Sequence, residues 1–439
     1  MKRYDVVVVG GGVAGLAAAG RIVAAGRSVI LLEARSRLGG RVHTVIDRSS
    51  GHAVELGAEF IQGNPKELLA IVRDAGLELL EIEEWHGRSH DGDPQPFPDV
   101  VGLVSRLLEG VEPDHDVPVA DILRAQRARF TAGEIDAMTA YLQGFHGADL
   151  ERFGSAALRE NQAAEEVDDG HMYRIAGGYG QLVSHLAAPL ESSLAEVRTG
   201  TVVTHLHWYP GTVDVEARSA SSHLRFSADR AVIAVPLCSL KSRPEEEGTV
   251  NFDPLPVGWR SAFSGLEMGL AHRIDLRFET AWWMRQHQRP MFVHGKNEPF
   301  PVWWTGSPPD PPFLTGWVGG PRAHALTGQK IEQLIPLALR SVSSIFGVPA
   351  QTLAGWLRAA HSYDWTSDPF SRGAYSYGGV HAAAARKALR QPVKNTLFLC
   401  GEALMDGGRN ATVPGALSSG LEAATLTLQT PWRPSGTNQ

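Results

Sequence analysis

A short buried strand, a glycine turn and a helix follow one another at the start of the chain, and this order constrains the fold most. Val6–Val9 is a β-branched run typical of a buried parallel strand. Gly10–Gly15 then fits the pattern GxGxxG, and a helical pattern runs from Leu16 to Ala25. A second strand, Ser28–Leu32, ends at Glu33. This order of strand, glycine turn, helix, strand and acid predicts a dinucleotide-binding unit.

The residues of this unit have separate predicted roles. Gly10 permits the tight turn, Gly12 lets the backbone approach a pyrophosphate, and Gly15 lets the helix and strand pack closely. The helix N-terminus turns its unpaired N–H groups and positive dipole end toward the phosphates. Glu33 can accept hydrogen bonds from a ribose. The fingerprint alone leaves NAD and FAD as alternatives.

The overall composition is that of a globular protein without a basic surface. The chain has 439 residues, of which 43% are hydrophobic and 20% charged, and this length has room for two or three domains. Because the formal net charge is −7, we expect no nucleic-acid partner. No apolar run is long enough to span a bilayer, so we expect no membrane attachment.

Cysteine usage and the N-terminal pattern predict a cytoplasmic location. Cys238 and Cys400 form no CxxC pair, and a reducing compartment is the simplest interpretation. Lys2-Arg3 before an apolar run imitates a signal peptide, but Asp5 and the glycine turn interrupt it. The 17 histidines show no metal-ligand spacing, so we predict no metal site. The sequence does not decide the oligomeric state, and a homo-oligomer stays open.

The remaining periodicity predicts an α/β domain interrupted by a second region. Alternating strands and a glycine turn before a helix occur over 171–235, and a strand and a small-residue helix return over 395–428. Helices over 119–146 and Trp-rich strands over 245–385 form the second region, whereas His86–Pro98 has the composition of a loop. The predicted boundaries are 1–78, 169–243 and 389–430 for the nucleotide domain, 79–168 and 244–388 for a substrate domain, and 431–439 for a tail.

Four separated motifs resemble those of the FAD-dependent amine oxidases, which include monoamine, polyamine and L-amino-acid oxidases. They are Gly10–Arg41 with its second glycine motif Leu38-Gly39-Gly40-Arg41, then Gly57–Phe60, then Val203, and finally Leu397–Ala416. The resemblance runs from Tyr4 to about Leu428 and is closest to bacterial-type members. It implies a discontinuous Rossmann-like FAD-binding domain with a substrate domain of mixed β-sheet flanked by helices.

The resemblance also implies which residues hold FAD. Arg41 would meet the diphosphate, Gly57–Phe60 would pass the isoalloxazine ring, Val203 would hold the adenine, and Glu402 would meet the ribityl hydroxyls. Each has a structural alternative: an ordinary glycine turn, a core valine or a surface acid. The full predicted set is Gly10, Gly12, Val13, Ala14, Gly15, Glu33, Ala34, Arg35, Gly39, Gly40, Arg41, Gly57, Ala58, Glu59, Phe60, Val203, Trp365, Gly401, Glu402, Thr412, Val413 and Ala416.

The implied reaction moves a hydride equivalent from the amine-bearing carbon of an amine or amino acid to flavin N5, with dioxygen as acceptor and hydrogen peroxide as product. Trp365 would pack beside the ring system and Tyr375 would form one wall of an aromatic cage that orients the amine. A packed aromatic pair is the structural alternative for both. The predicted catalytic set is Arg273, Tyr375, Trp365, Thr412, Glu59 and Gln62.

The chain departs from the family pattern at several positions. Ala374 replaces the cysteine that binds flavin covalently in monoamine oxidases, so we expect non-covalent FAD. Thr412 replaces the second cage tyrosine, and Arg273 replaces a lysine that holds a water near N5. Gln62 is neutral where polyamine-oxidising members often carry His or Glu, which weakens the case for a polycation. Glu59 either meets a substrate cation or is bonded to a nearby arginine.

Two other functions stay open at this point. One is a dehydrogenase or desaturase that has the same scaffold but uses another electron acceptor. Arg273 leaves this function open, because a guanidinium cannot act as a base near neutral pH. A non-catalytic FAD-binding protein is the second alternative, and the intact aromatic motif at Trp365 and Tyr375 argues against it.

Overall fold

Two large sheets organise the part of the chain that the computed structural model describes, which is residues 2–82, 86–90, 92–112, 115–167, 170–220, 222–285, 292–306 and 312–432. The strands are β1 (Arg3–Val9), β2 (Val29–Leu32), β3 (Thr44–Ile46), β4 (Ala53–Glu55), β5 (Ile61–Gln62), β6 (Leu79–Glu81), β7 (His86–His90), β8 (Asp93–Pro96), β9 (Met172–Ile175), β10 (Ala195–Arg198), β11 (Val202–Tyr209), β12 (Thr212–Ser219), β13 (Ser222–Ile233), β14 (Asn251–Asp253), β15 (Leu266–Met268), β16 (Ala271–Phe278), β17 (Phe292–His294), β18 (Val302–Thr305), β19 (Phe313–Gly319), β20 (Leu357–Ser362), β21 (Ser376–Gly378) and β22 (Leu397–Leu399). The helices are α1 (Val13–Ala24), α2 (Lys66–Asp74), α3 (Val100–Leu108), α4 (Val119–Ala125), α5 (Ala132–His146), α6 (Ser155–Val167), α7 (Gly180–Ala187), α8 (Leu237–Lys241), α9 (Trp259–Ser264), α10 (Ile331–Phe346), α11 (Ala350–Trp356), α12 (Ala382–Leu389) and α13 (Val413–Gln429).

The first sheet is built around β1. Its strand order is β10-β2-β1-β13-β12-β11-β14, and β22 also pairs with β13. β1 pairs in parallel with β2 on one side and with β13 on the other. Val6 and Val8 pack into the core that contains α1, whereas Val7 and Val9 face the opposite core. The sequence predicted this buried parallel strand because both faces of such a strand need apolar side chains.

β13 is one strand of 12 residues, although its sequence has the pattern of two short strands, Leu224–Ser227 and Ala231–Val235. Its first part pairs antiparallel with β12 and its second part pairs in parallel with β1 and β22. Arg230 interrupts the apolar pattern, but its guanidinium is buried and donates to the carbonyl oxygens of Thr430 (3.1 Å) and Pro431 (2.6 Å). These acceptors come from the far end of the chain, so the local pattern gave no sign of continuity.

The second sheet has the order β20-β16-β19-β18-β17-β7-β8 and is mixed, as predicted. Helix α10 covers it and buries Leu334, Ala338, Val342 and Ile345 together with the strand residues Ile274 and Leu276. Trp283 and Trp303 are fully buried in the same core, in agreement with the packing role that we predicted for most tryptophans.

The prediction of a loop over His86–Pro98 was wrong, because β7 and β8 lie within it. β7 pairs in parallel with β17, which is distant in sequence, so its backbone hydrogen bonds come from a partner that local composition cannot reveal. Pro94 and Pro96 lie on β8 at the edge of the sheet, where a missing N–H donor is tolerated.

Several local sequence patterns agree with the structure. The amphipathic pattern over Ile331–Phe346 coincides with helix α10. Thr131 and Glu134 have the spacing of a capping box, and α5 begins with one, in which Glu134 N donates to Thr131 Oγ1 (3.2 Å) and Thr131 N donates to Glu134 Oε2 (2.7 Å). Helix α2 has Pro65 at its N-cap, one residue after Asn64, which is the more usual capping residue type. The domain boundaries remain a prediction, and β14 crosses them because it pairs with β11 in the first sheet.

In the described ranges, no single helix is long and apolar enough to cross a membrane. Helices α10 and α11 meet the length and composition criteria only as a pair, with a bend of 117° between them.

The close contact at Gly15 generates a prediction about stability. A Cβ atom added at Gly15 would lie 1.9 Å from the carbonyl oxygen of Gly10, so Gly15→Ala must push α1 away from β1. We expect a destabilisation of about 1–3 kcal/mol, typical of overpacking, visible as a lower Tm by circular dichroism. Gly133→Ala in α5 is the control, since its Cβ would meet open space, and its Tm should be unchanged or slightly higher. Equal Tm values for the two variants would contradict this packing argument.

Candidate active site

A cavity of about 2400 Å³ connects the two sheets. At one end it is lined by Val9 and Leu32, at the carboxyl ends of β1 and β2, and at the other by Trp304 and Trp317 of the second sheet. Pockets for one small ligand usually measure roughly 300–1,000 Å³. The cavity is therefore large enough for an extended cofactor and a substrate together.

The two glycine motifs meet at the first end of this cavity. Gly39 N donates to Gly11 O (2.8 Å), and a Cβ atom at Gly12 would meet only the Cα of Gly40, at 3.9 Å. Gly10 and Gly39 have φ values of 103° and 100°, which other residues rarely adopt. Helix α1 begins here with Gly12 as N-cap and no side-chain cap, so its first N–H groups point to the cavity. This backbone cradle fits a diphosphate.

Glu33 and Arg35 both line the cavity but have different partners. The Glu33 carboxylate is buried and accepts from Gly11 N (2.7 Å) and Arg35 N (2.8 Å). The Arg35 guanidinium donates to Asp368 (2.7 Å) and Ser371 (2.8 Å). Glu33 is therefore placed to meet a ribose, and the side chain of Arg35 joins the nucleotide unit to residues near 370.

Arg41 and Glu402 form an ion pair of 2.7 Å in the cavity wall. Arg41 also donates to Ala374 O (3.0 Å), and Glu402 accepts from Ser376 Oγ (2.6 Å) and Ala411 N (3.0 Å). Glu402 is buried, so the alternative of a surface acid was wrong. Burial alone would raise the pKa of Glu402, but the charge of Arg41 and these hydrogen bonds lower that pKa below its ordinary value.

Thr412 is the N-cap of α13. Its Oγ1 accepts from Gly415 N (3.0 Å) and donates to Arg409 O (2.8 Å). Thr412, Val413 and Ala416 line the cavity, so the positive end of α13 faces it. The hydroxyl of Thr412 is thus committed to the helix end, and its contribution to the cavity is to hold that end in place.

The middle of the cavity is lined by Gly57–Phe60, Val203 and Trp365. A Cβ atom at Gly57 would lie 1.9 Å from Arg41 O, so this segment runs directly against the second glycine motif. Trp365 donates from Nε1 to Leu56 O (2.7 Å) and contacts the ring of Tyr363 at 4.4 Å. Trp365 therefore combines the two roles considered for it, an aromatic contact in the core and a face on the cavity.

Tyr375 stands opposite Trp317 at the far end. Their rings are parallel within 5° with centroids 6.3 Å apart, and Tyr375 Oη donates to Phe145 O (2.6 Å). The sequence did not single out Trp317. It lies opposite Arg273 in the pairing of β16 with β19, so the register of these two strands would have found it. This aromatic pair can orient an amine.

Arg273 is held rigidly by two carboxylates. Its Nε and Nη2 donate to Asp275 (2.8 and 2.7 Å), and its Nη1 lies 2.6 Å from Glu59 Oε2. Thr315 Oγ1 donates to the same Asp275 (2.7 Å). Burial works against the charge of Arg273, but Asp275 and Glu59 outweigh it and raise the pKa of Arg273. The guanidinium is therefore always charged and cannot shuttle a proton.

Glu59 is bonded to arginines, which is one of the two roles considered for it, and its contact with a substrate cation stays a prediction. Arg174 Nε lies 2.6 Å from Glu59 Oε1, and Trp304 Nε1 donates to Glu59 Oε2 (3.2 Å). Burial alone would raise the pKa of Glu59, yet Arg174 and Arg273 lower it. Gln62 lies nearby on β5 with an exposed side chain at the cavity. Sequence reasoning missed Arg174 and Trp304, which come from distant strands.

Glu55 is a second carboxyl near this cluster. It lies on β4 and accepts from Thr44 Oγ1 (2.8 Å) and Tyr179 N (2.6 Å). Burial raises the pKa of Glu55 to about 7, against the lowering effect of these hydrogen bonds. The fold therefore favours the neutral form of this side chain.

Over the same described ranges, no group of three His, Cys, Asp or Glu side chains could hold a metal ion.

Comparison with known proteins gives consistent results. The family model of flavin containing amine oxidoreductases matches residues 13–428. Polyamine oxidase 2 of Arabidopsis thaliana is 29% identical over 96% of this chain and 88% of its own length. Lysine-specific histone demethylase 1 homolog 2 of the same plant is 28% identical over 97% of this chain, which spans 58% of that relative. A structure of putrescine oxidase with bound putrescine is 20% identical, covers 97% of this chain and 98% of its own, and has a TM-score of 0.77, which shows a shared fold.

The raised pKa of Glu55 predicts that Glu55→Gln gains thermal stability relative to the wild type as the pH rises. The wild-type side chain titrates near 7 when folded and near its ordinary value, about 4.3, when unfolded. Its contribution to stability is present below the unfolded value and is lost as the pH rises through the folded value. Glutamine keeps an oxygen for Tyr179 N and does not titrate. We expect the Tm of the variant minus that of the wild type to rise by several degrees between about pH 5 and about pH 8.

Glu134→Gln is the control for this measurement. Glu134 is the exposed carboxylate of the capping box, and its bonds to Thr131 lower its pKa. Its difference from the wild type should stay flat over that pH range. A flat difference for Glu55→Gln as well would overturn the predicted titration.

Proposed function

The chain belongs to the flavin-containing amine oxidoreductases, as predicted from its motifs, and we propose that it oxidises a small-molecule amine or amino acid with dioxygen as the electron acceptor and with non-covalently bound FAD. The observation that carries the proposal is the single cavity that joins the two glycine motifs to the aromatic pair Trp317 and Tyr375. A binding module for FAD alone would not require the second half of this cavity.

Each part of FAD has matching residues along the wall. The N-terminus of α1 with Gly12 and Gly40 would hold the diphosphate, Glu33 a ribose, Val203 the adenine and Glu402 the ribityl hydroxyls. The positive end of α13 favours negative charge on the ring system. These assignments follow from the donors and acceptors in the cavity lining and from the backbone cradle that only glycines leave open.

The chemistry is a two-electron oxidation. FAD supplies the acceptor for the hydride equivalent that leaves the carbon bearing the amine. The neutral amine also loses one N–H proton, so that a C=N double bond forms, and water converts the imine to a carbonyl compound and an amine or ammonia. Dioxygen takes up the two electrons and two protons as hydrogen peroxide. Trp317 and Tyr375 orient the C–H bond and exclude water from it.

Non-covalent attachment is supported by the residues around the cavity. Ala374 lines it at the position where monoamine oxidases carry a cysteine. Cys400 also lines it, but burial raises the pKa of its thiol to about 12. A protonated thiol is a poor nucleophile. Both cysteines are free thiols, which also supports the proposed cytoplasmic location.

The names of the similar proteins support a small-molecule amine as substrate. One relative is a polyamine oxidase, and a protein of the same fold is a putrescine oxidase with bound putrescine. An electron acceptor other than dioxygen is the second candidate. It is favoured by Arg273, whose guanidinium is occupied by Asp275 and Glu59.

Anaerobic titration of the purified protein tests the proposal. Flavin released by acid precipitation should account for all of the bound flavin. Amines or amino acids should bleach the flavin absorbance without oxygen, and air should restore it with one hydrogen peroxide per flavin. Bleaching with negligible recovery in air would establish the alternative acceptor. No bleaching by any amine or amino acid, with flavin bound, would contradict amine oxidation.

Arg273→Lys tests why oxygen reactivity depends on this position. Lysine is compact, has rotatable donors and can lose its proton, whereas Arg273 is fixed and permanently charged. We expect reoxidation by oxygen in stopped-flow to be faster by at least about tenfold. Arg277→Lys is the matched control, because Arg277 lies on the same strand and pairs with Asp47 (2.6 Å) outside the cavity. An unchanged or slower rate in Arg273→Lys would reject the prediction.

A further inference from the structure

Eight aromatic rings form a continuous wall from the candidate reaction site to the outer part of the cavity, which we call the aromatic strip. It consists of Tyr375, Trp317, Trp304, Phe60, Phe292, His86, His294 and Phe97, all of which line the cavity. Ring centroids follow one another at 6.3 Å from Tyr375 to Trp317, 6.1 Å to Trp304, 5.8 Å to Phe292, 4.8 Å to His86 and 6.4 Å to Phe97. An apolar substrate that lies along this wall can therefore stay in contact with one ring after another.

His294 adds no positive charge to the strip at neutral pH. His294 Nε2 lies 2.9 Å from His86 Nδ1, and its ring stacks on Phe97 at 4.0 Å. Burial, with smaller contributions from His86 and Arg88, lowers the pKa of His294 to about 3, so its ring is neutral. The His294 ring is therefore a flat, neutral face at this end of the strip.

The acid nearest to the strip is already neutralised. Glu59 is held by Arg174 and Arg273, and Asp275 completes a cluster of two guanidiniums and two carboxylates. Trp304 Nε1 donates to the same Glu59. The cluster has two positive and two negative groups, so Glu59 offers a substrate ammonium no uncompensated negative charge.

Three guanidiniums lie directly against the strip. Arg174 is 4.9 Å from the Phe60 centroid, Arg273 is 5.6 Å from that of Trp304, and Arg88 is 5.7 Å from that of Phe97. These rings already interact with protein cations. A second ammonium on a substrate lying along the strip would therefore compete with these guanidiniums for the ring faces.

The other carboxylates in the cavity lining have donors of their own. Besides Glu33, Glu59 and Glu402, the lining contains Glu67, Asp99, Asp136 and Glu160. Glu67 accepts from Ser418 Oγ, and Asp99 accepts from Gly102 N (2.8 Å). Asp136 pairs with Lys296 Nζ (3.4 Å), and Glu160 accepts from Arg386 Nη1 (3.1 Å). Over the residues that the structure describes, no carboxylate of this lining is left without a donor.

From these features we infer that the substrate is a monoamine with a long apolar body, alkyl or arylalkyl, and that diamines and polyamines are poor substrates. The inference rests on the proposed amine oxidation and concerns the same site. It separates this chain from the polyamine and putrescine oxidases to which it is similar. The amine lies against Trp317 and Tyr375, and the apolar body lies on the rest of the strip.

Matched substrates test this directly. We expect kcat/KM for linear alkylamines from butylamine to octylamine to rise by about threefold to fourfold per methylene group. Octylamine should exceed α,ω-diaminooctane, which adds only a distal ammonium, by about tenfold or more. Equal or better oxidation of the diamine would overturn the inference and leave the proposed function intact. No oxidation of any amine would overturn both.

The role of the neutralised acid is tested by Arg174→Met. Removal of one guanidinium leaves Glu59 with an excess of negative charge, so the ratio of octylamine to diaminooctane in kcat/KM should fall by about tenfold. Arg174→Lys keeps the charge and should keep the wild-type ratio. An unchanged ratio in a folded, flavin-loaded Arg174→Met would contradict the role assigned to the cluster.

A binding measurement makes the test independent of turnover. Octyltrimethylammonium and its bis-quaternary counterpart of equal length have no N–H proton to lose, so they cannot be oxidised as the amines are. Their Kd values can be read from the change in flavin absorbance. The mono-cation should bind at least about tenfold more tightly. Tighter binding of the bis-cation would overturn the inference even if the alkylamine series behaved as expected.

Discussion

The ion pair between the half-buried Arg41 and the buried Glu402 joins the parts of the structure on which the cavity depends. It links positions 361 residues apart, at the end of the second glycine motif and just after β22. Removal of Arg41 would leave the buried carboxylate of Glu402 without its compensating charge, which is costly. Ser376 and Ala411 donate to the same Glu402, so three distant segments converge on one carboxylate. The cavity exists as one space because these segments meet there.

A second buried cluster gives the far end of the cavity its character. Arg174, Glu59, Arg273 and Asp275 come from three separate segments, and together they carry balanced charge. Both residues of the first pair line the cavity at the end with the glycine motifs, whereas the second cluster satisfies its charges internally. One end is thus suited to a polar, anionic cofactor and the other to an apolar molecule, although both ends contain arginines and carboxylates.

The motifs whose physics is local could be predicted from the sequence. The glycine turns, Glu33 and the start of α13 depend on neighbours in the chain, and the spacing of the first turn and Glu33 indicated a dinucleotide, whereas the choice of FAD came from the family resemblance. Residues that act through strand pairing could not be predicted. Trp317 needs the register of β16 with β19, and β7 needs its distant partner β17. The contact of Glu59 with Arg174 is of the same kind, because no local pattern places the two side by side.

The position of β22 has a consequence for biosynthesis. This strand begins at Leu397 and pairs with β13, the strand that also borders β1. A ribosome that releases the chain from its N-terminus has therefore emitted nearly all of it before the first sheet can be completed. Until then the edge of β13 over Ala231–Ile233 lacks its partner strand, and non-local pairing of this kind forms slowly. An unpaired strand edge is a site of association with other chains. The last segment thus protects the first sheet as well as contributing Glu402 and the start of α13 to the cavity.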